Sequence, residues 1–303
     1  MKRVLIVYNP RSSRAAEVES EVLTPARSLR GYMVGKYEVE KIGIEKNVAK
    51  LAEILKDGDL VVAAGGDATG VIAVNGILQS GRDVKLAVLP YGNFNDLART
   101  LGVKDFKDIF NDNIETKKYH PLEVVIDDKH WRYATCYVTI GMMAEATKIY
   151  DQAKMRKILK KSFGRYVGSY TNLAGWYFKH RRKRVWIPEF KLNGTVQDKR
   201  VSDYMAVNGR YMARVMKGSE DYLKPRAFRS KVGKLANFWR LIGFMLKSMR
   251  SRVPGNETKG DVLEFVELGR VKMQAEGESV MLEGVSKIEI KKTDKYLRVV
   301  TKD

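Results

Sequence analysis

Gly65-Gly66-Asp67-Ala68-Thr69 lies between two apolar runs. Before it stands Asp59-Leu60-Val61-Val62-Ala63-Ala64, a pattern typical of a strand covered on both faces. After it stands Val71-Ile72-Ala73-Val74-Asn75-Gly76-Ile77-Leu78, which reads as a helix. A strand, a glycine turn and a helix start place backbone N–H groups in front of an anion, so the chemistry to look for is phosphate binding. An ordinary tight turn would look the same in isolation. A second segment, Leu86-Ala87-Val88-Leu89-Pro90-Tyr91-Gly92-Asn93-Phe94-Asn95-Asp96-Leu97-Ala98-Arg99, repeats the order of strand, polar glycine loop and helix. In a parallel sheet both loops emerge at the carboxyl edge, where ligands bind. The pair is stronger evidence than either loop.

The elements that must position these loops alternate along the first third of the chain. Strands are expected at Arg3–Tyr8, Lys36–Lys41, Leu60–Ala64 and Val84–Leu89, with helices around Arg14–Met33, Asn47–Lys56 and Thr69–Gln79. Such alternation is the signature of a doubly wound parallel sheet. From about Lys117 the texture becomes β-rich, with runs at Leu122–Ile126, Trp131–Ile140, Val185–Leu192 and Tyr204–Val207. Further runs follow at Val262–Leu268, Val271–Ala275, Ser286–Lys291 and Tyr296–Val300. Two basic helical inserts are expected, over about Asp151–His180 and Lys234–Arg250. The reading is an α/β domain over residues 1–118 and an antiparallel β domain over 119–303, its final strand free to return to the first domain.

The chain has 303 residues, 44% of them hydrophobic and 30% charged, enough for a large core and two domains. No apolar run approaches a membrane span, and the opening Met1–Tyr8 reads as a strand rather than a signal peptide. Cys136 is the single cysteine and sits in an apolar stretch, so it reads as core. With three histidines and one cysteine a structural zinc site is not expected, and the composition points to a reducing, cytosolic setting.

The net charge of +20 is unevenly placed. Residues 151–252 hold 26 Lys and Arg against 6 Asp and Glu, and the rest of the chain is close to neutral. Tyr166, Tyr170, Trp176, Tyr177 and Phe178 lead into His180-Arg181-Arg182-Lys183-Arg184, and Phe238-Trp239-Arg240-Leu241-Ile242-Gly243-Phe244 forms a second mixed segment. Basic residues among aromatic ones fit a peripheral contact with an anionic membrane surface, and equally a helix with a solvated basic face. No nucleic-acid motif is present, so no nucleic-acid partner is expected.

The chain resembles a family at six ordered places. "GGDATGVIAVNGIL" is similar to the Gly-Gly-Asp-Gly-Thr loop of the diacylglycerol and sphingosine kinases and their bacterial lipid-kinase relatives. "LPYGNFNDLARTLG" is similar to their Pro-x-Gly-Thr-x-Asn-Asp-x-Ala-Arg segment, and "VYNPRSS" to their opening Asn-Pro loop. "FGRYVGSYTNLAGW", "VNGRYM" followed by Pro225-x-Ala227, and "QAEGES" resemble the later motifs. NAD kinases share the first motif only.

The resemblance implies an α/β nucleotide-binding domain, a β-sandwich domain and an active site in the cleft between them. It implies transfer of the ATP γ-phosphoryl group to a lipid hydroxyl at a membrane surface, with Mg²⁺. On the family's pattern, Asn9, Ser12, Ser13, Gly65, Gly66, Asp67, Ala68, Thr69, Asn93, Asn95 and Asp96 hold the nucleotide. Asp67 orders Mg²⁺ or the acceptor, Glu278 falls on the proton acceptor and Glu276 on the preceding acid, whereas a surface β-turn would account for Glu276-Gly277-Glu278 without any chemistry. A lipid substrate and a peripheral membrane location follow, and a homodimer is left open.

Four departures leave a second reading, a kinase-like protein that binds nucleotide and membrane without full catalysis. Ala68 stands in place of a glycine and would be strained if φ were positive there. Asn93 replaces a nucleotide-contacting threonine, and Ile42 stands near where another is expected. Lys231-Val232 stands where the bacterial enzymes have an Asp-Gly pair of a structural Mg²⁺ site, so that metal is not expected.

Overall fold

A computed structural model describes residues 2–92, 95–110, 115–145, 187–197, 201–212, 216–218, 227–233, 255–265 and 270–302, with isolated positions 175, 178, 239, 242–243 and 246–247. Asn93, the Pro225-Arg226 pair and nearly all of both basic inserts lie outside these residues.

The first sheet is built from β1 (Lys2–Tyr8), β2 (Tyr32–Glu38), β3 (Leu60–Gly65), β4 (Lys85–Pro90), β5 (Glu115–Tyr119) and β20 (Leu297–Thr301), in the order β2-β1-β3-β4-β20-β5. All neighbours are parallel except β20 and β5. Its central strands are buried on both faces. Val61 and Ala63 join one core cluster, and Val62 and Ala64 join the other. Leu86 and Val88 alternate with Ala87 and Leu89 in the same way. A strand with no solvent face has no polar alternation to show, which is why these runs are continuously apolar.

Three helices matter for the site: α1 (Ile44–Ile54), α2 (Asp67–Ser80) and α3 (Asp96–Leu101). Helix α1 buries Val48 and Leu51 and starts after Gly43, whose φ is 91°. Buried Asn47 fastens that start, donating to the carbonyls of Glu40 and Gly43 at 3.1 and 2.6 Å. The helical turns expected over Arg14–Met33 end by Ala26, and β2 begins at Tyr32. Gly31, with φ at 80°, turns the chain into β2.

Most of the remaining described residues form two six-stranded sheets packed on each other. One contains β6 (Leu122–Ile126), β7 (Lys129–Ala134), β9 (Phe190–Leu192), β10 (Thr195–Val196), β16 (Gly260–Phe265) and β19 (Lys287–Lys292), in the order β10-β9-β16-β19-β6-β7. The other contains β8 (Tyr137–Gly141), β11 (Val201–Val207), β14 (Ala227–Gly233), β15 (Asn256–Thr258), β17 (Val271–Ala275) and β18 (Glu278–Leu282), in the order β15-β14-β11-β8-β17-β18. A small pair, β12 (Tyr211–Met212) and β13 (Met216–Lys217), stands apart. Leu122, Val124, Phe190 and Ile288 of one sheet share a core with Val138, Ile140, Tyr204 and Met273 of the other, which is a β-sandwich. Trp131–Ile140, expected as one strand, is two: β7 ends at Ala134, and β8 begins at Tyr137 in the opposite sheet.

The two units are sewn together. The Asn75 side chain on α2 accepts from the Tyr133 N–H at 2.8 Å and donates to the Tyr133 carbonyl at 3.0 Å. Strand β20 carries the chain back from the sandwich into the parallel sheet. Beyond it, the Lys302 N–H donates to the Leu101 carbonyl at 3.0 Å.

Gly102, with φ at 77°, closes α3 against that segment, and a Cβ placed there would lie 2.3 Å from the Lys302 carbonyl oxygen. The left-handed backbone alone costs about 1–2 kcal/mol for any other residue. Gly102→Ala is therefore expected to lose at least about 2 kcal/mol in urea unfolding. A loss under ~0.5 kcal/mol would contradict the packing described.

Candidate active site

The two glycine loops meet at the carboxyl edge of the parallel sheet. β3 and β4 are neighbours, with Gly65 opposite Pro90, so the loops leave side by side. They touch backbone to backbone. A Cβ on Gly92 would lie 2.1 Å from the Gly66 Cα, and one on Gly66 would lie 3.2 Å from the Gly92 Cα. A Cβ on Gly65 would strike the Thr69 side chain at 2.4 Å. None of the three has a positive φ. Close approach, rather than a left-handed turn, is what demands glycine here.

Asn95 has φ at 57° and stands just before α3, its side chain turned back from the helix. Its Oδ1 accepts from the Gly92 N–H at 2.7 Å, and its Nδ2 donates to the Gly92 carbonyl at 2.8 Å. Its side chain shapes the loop. The Asn9 carbonyl accepts from the Ser12 N–H at 3.0 Å, which turns the chain after β1 at the same sheet edge, beside half-buried Ser12 and exposed Ser13. Arg14, not anticipated from the sequence, ties this turn to the second glycine loop. Its Nη1 donates to the Pro90 carbonyl at 2.6 Å, and its guanidinium lies 5.0 Å from the centre of the Tyr91 ring.

Ala68 is the second residue of α2, exposed and right-handed. The strain expected of alanine there does not arise, and its methyl group is not packed into the loop.

Two acids sit at the first positions of two helices, where the helix dipole favours negative charge. Asp67 begins α2 and Asp96 begins α3, and the Asp67 Oδ1 accepts from the Asp96 N–H at 3.2 Å. A third acid arrives from the sandwich. Glu276 and Gly277, with φ at 52° and 87°, form the two-residue turn between β17 and β18. Positive φ at both positions is the hairpin geometry that matches strand twist. So the Glu276-Gly277-Glu278 segment is a β-turn, but its first acid points inward and is only 7% exposed. The Glu276 Oε1 accepts from the Thr135 N–H at 2.7 Å, and also from the Thr135 hydroxyl and the Cys136 N–H. Thr135 and Cys136 are the residues where the chain crosses from β7 to β8. The interruption of the expected strand thus provides the N–H groups that hold Glu276.

The back of that crossing is held too. The Tyr119 hydroxyl donates to the Thr135 carbonyl at 2.5 Å, and the Asn208 Nδ2 donates to the same oxygen at 2.7 Å. The Lys292 ammonium donates to the Asn208 Oδ1. Burial brings Lys292 down to about 7.

The charges are coupled. Asp67 is raised to about 8, first by burial of its carboxylate and then by the negative charges of Asp96 and Glu276. Part of the residue's edge stays open. Glu276 is also raised, chiefly by burial, against the lowering effect of its donors. Burial pushes the Cys136 thiol well up, which leaves it inert at neutral pH. Glu278 stands half-exposed at the start of β18, opposite Ala275. Of the three residues expected to act in catalysis, Asp67 and Glu276 are therefore neighbours in one field, joined by Asp96, and Glu278 follows the turn as the first residue of β18.

Asp67 titrates near 3.8 in an unfolded chain and about 8 in the folded one. Between those values the native state holds a proton that the unfolded state has lost, so this group makes stability fall as pH rises, levelling above about 8. In metal-free buffer, Asp67→Asn is expected to flatten the fall of Tm over that window and to raise Tm at its upper end. Parallel profiles for parent and variant would contradict the placement of Asp67.

Comparison with known proteins bears on what such an edge does. Residues 3–125 match the diacylglycerol kinase catalytic domain. A diacylglycerol kinase of Staphylococcus epidermidis is 40% identical over 103 residues, 33% of this chain and 32% of that protein. One from Bacillus subtilis is 37% identical over 105 residues, 34% of each chain. The matched stretch thus spans about a third of the length of these relatives. In structure, a diacylglycerol kinase of Bacillus anthracis superposes over 98% of this chain and 96% of its own, with a TM-score of 0.61 at 14% identity. By sequence over residues 3–125, and by fold over nearly its whole length, this chain resembles the diacylglycerol kinases.

Proposed function

We propose that this protein transfers the γ-phosphoryl group of ATP to the hydroxyl of a diacylglycerol-like lipid. One observation carries the reading: two backbone-packed glycine loops and two helix-start acids, Asp67 and Asp96, converge on the buried Glu276 of the sandwich. The likeness of residues 3–125 to the diacylglycerol kinase catalytic domain supports it.

In this reading the nucleotide phosphates lie against Gly65, Gly66 and the start of α2, with Asn9, Ser12, Ser13 and Thr69 around them. N–H groups and the helix dipole hold their charge. The acids fit a divalent cation, because Asp67 is raised by like charges that a cation would offset. No set of three ligating side chains closes around a single ion among the described residues. That suits Mg²⁺, which keeps several waters and takes one or two carboxylates plus substrate phosphates. When bound, Mg²⁺ would neutralise charge on the transferring group. Glu278, half-exposed beside the acid cluster, takes the proton of the lipid hydroxyl as its oxygen bonds to the γ-phosphorus and the bond to the β-phosphate breaks. Glu276, held by Thr135 and Cys136, fixes the turn that aims it.

The lipid is met at a membrane surface through residues 151–252. Support lies in the concentration of basic charge there and in the exposed apolar side chains of Phe178, Trp239 and Leu246, which are 46%, 75% and 50% exposed. Among the described residues no helix is long and apolar enough to cross a membrane. Interfacial binding of this kind needs no span.

The test is formation of phosphatidate from diacylglycerol and labelled ATP in mixed micelles containing anionic lipid. Glu278→Gln is expected to slow turnover ~10²–10⁴-fold with ATP affinity nearly unchanged. Ala68→Gly is expected to stay within about twofold of the parent, because position 68 is an exposed helical residue. Folded, ATP-binding protein that forms no phosphatidate would favour the non-catalytic reading. A large gain in rate from Ala68→Gly would restore alanine as a lesion.

A further inference from the structure

A second cleft lies on the flank of α2, away from the glycine loops. It has a volume of about 440 Å³, within the range of small-molecule sites. Asn75 lines it, eight residues along α2 from Asp67, which is about 12 Å at 1.5 Å per residue. The start of α1 forms one wall through Ile44 and Val48, and Trp131 and Tyr133 of β7 form the other. The parallel-sheet unit and the sandwich therefore each supply a side.

The cleft contains a buried cation that is poorly satisfied. The side chain of Arg132 is only 7% exposed. Its Nη2 donates to the Glu45 Oε1 at 2.7 Å, and its Nη1 is buried without any hydrogen-bond acceptor. The guanidinium lies 4.6 Å from the centre of the Trp131 ring. A guanidinium stays charged, and burying it is costly unless its donors are used. Here its one carboxylate partner is 71% exposed and belongs to the other unit of the fold. A single oxygen from an exposed carboxylate leaves the fork of this buried guanidinium only partly used.

A second cation stands over the same cleft. Lys295 has no ion pair among the described residues, and its ammonium rests 5.5 Å from the centre of the Tyr133 ring. Glu45 lies in the first turn of α1, whose start has no side-chain cap, so the helix dipole adds to the positive potential. The remaining acid of the lining, Glu123, meets the His130 Nδ1 at 3.1 Å and the Lys291 ammonium at 4.0 Å.

We propose that this cleft binds a small phosphomonoester, with Arg132 and Lys295 taking the phosphate and the Trp131 and Tyr133 wall taking the rest of the molecule. Glu45 occupies the guanidinium in the empty site with a single oxygen. A phosphate offers three oxygens to the planar fork of Arg132 and the point charge of Lys295, so it satisfies more donors than Glu45 does. Bound there, it bridges α1 to β7. The proposal does not depend on the kinase reading, since no residue of the acid cluster takes part.

The test uses inorganic phosphate, measured by calorimetry and by thermal shift in the full chain. Glu45→Gln removes the competing carboxylate and is expected to tighten phosphate binding roughly fivefold. Lys295→Ala, at an exposed position, is expected to weaken it by a similar factor without loss of fold. Phosphate bound only at the glycine loops would be indifferent to both changes, and that result would overturn the proposal. So would an absence of binding in Glu45→Gln at millimolar phosphate. Two further arms separate the sources of the group. If the natural ligand is soluble, glycerol 3-phosphate binds with the same dependence on positions 45 and 295. If it is a lipid headgroup, that dependence appears only with vesicles containing phosphatidate. Dependence in neither arm would count against a phosphomonoester.

Discussion

Buried carboxylates repel one another, and the arrangement around Asp67, Asp96 and Glu276 follows from that constraint. Each acid has its own compensation. Asp67 and Asp96 stand at helix starts, where unpaired N–H groups and the dipole favour negative charge. Glu276 accepts three hydrogen bonds from the crossing between β7 and β8. The compensation is incomplete, since Asp67 still holds its proton to about 8. A site in which like charges are gathered and left only partly offset favours an arriving cation.

The same constraint explains why the two units of the fold are fixed together so firmly. Glu276 comes from the sandwich and the two aspartates from the parallel sheet, so a small shift between the units would change their field. Asn75 grips the backbone of Tyr133 from α2, one residue before β7 ends at Ala134. Asn208 and Tyr119 hold the Thr135 carbonyl from behind. Return of the chain through β20 adds a strand to the parallel sheet from the far end of the sequence. Together these contacts make the seam continuous: Tyr133, Tyr137, Met205 and Val207 share a core cluster with Val61, Leu86 and Val299.

Much of this was legible in the sequence, for physical reasons. A strand buried on both faces must be apolar throughout, so β3 and β4 announced themselves, and the glycines after them marked the edge where the loops would leave. Less visible were features that depend on distant residues. Nothing in Ala134-Thr135-Cys136 signals a strand break, since none of the three is a turn residue. The N–H groups at the break are taken by Glu276, which lies 141 residues further on. The inward aim of Glu276 was equally hidden, because an acid in a two-residue turn usually faces solvent. At Ala68 the resemblance placed a glycine and left open a positive φ, whereas the backbone has already entered α2. The expected helix over Arg14–Met33 overran Gly31, whose left-handed backbone leads into β2.

The central claim is that Asp67, in the field of Asp96 and Glu276, receives a cation that arrives with nucleotide. Proton release measures it most directly. At pH 7 the free protein holds a proton on Asp67, whose titration lies at about 8. Binding of Mg²⁺ with a non-hydrolysable ATP analogue, followed by calorimetry in buffers of different ionisation enthalpy, should release close to one proton per site. In Asp67→Asn the release should fall. Binding without proton release in the parent, or equal release in both proteins, would contradict the account.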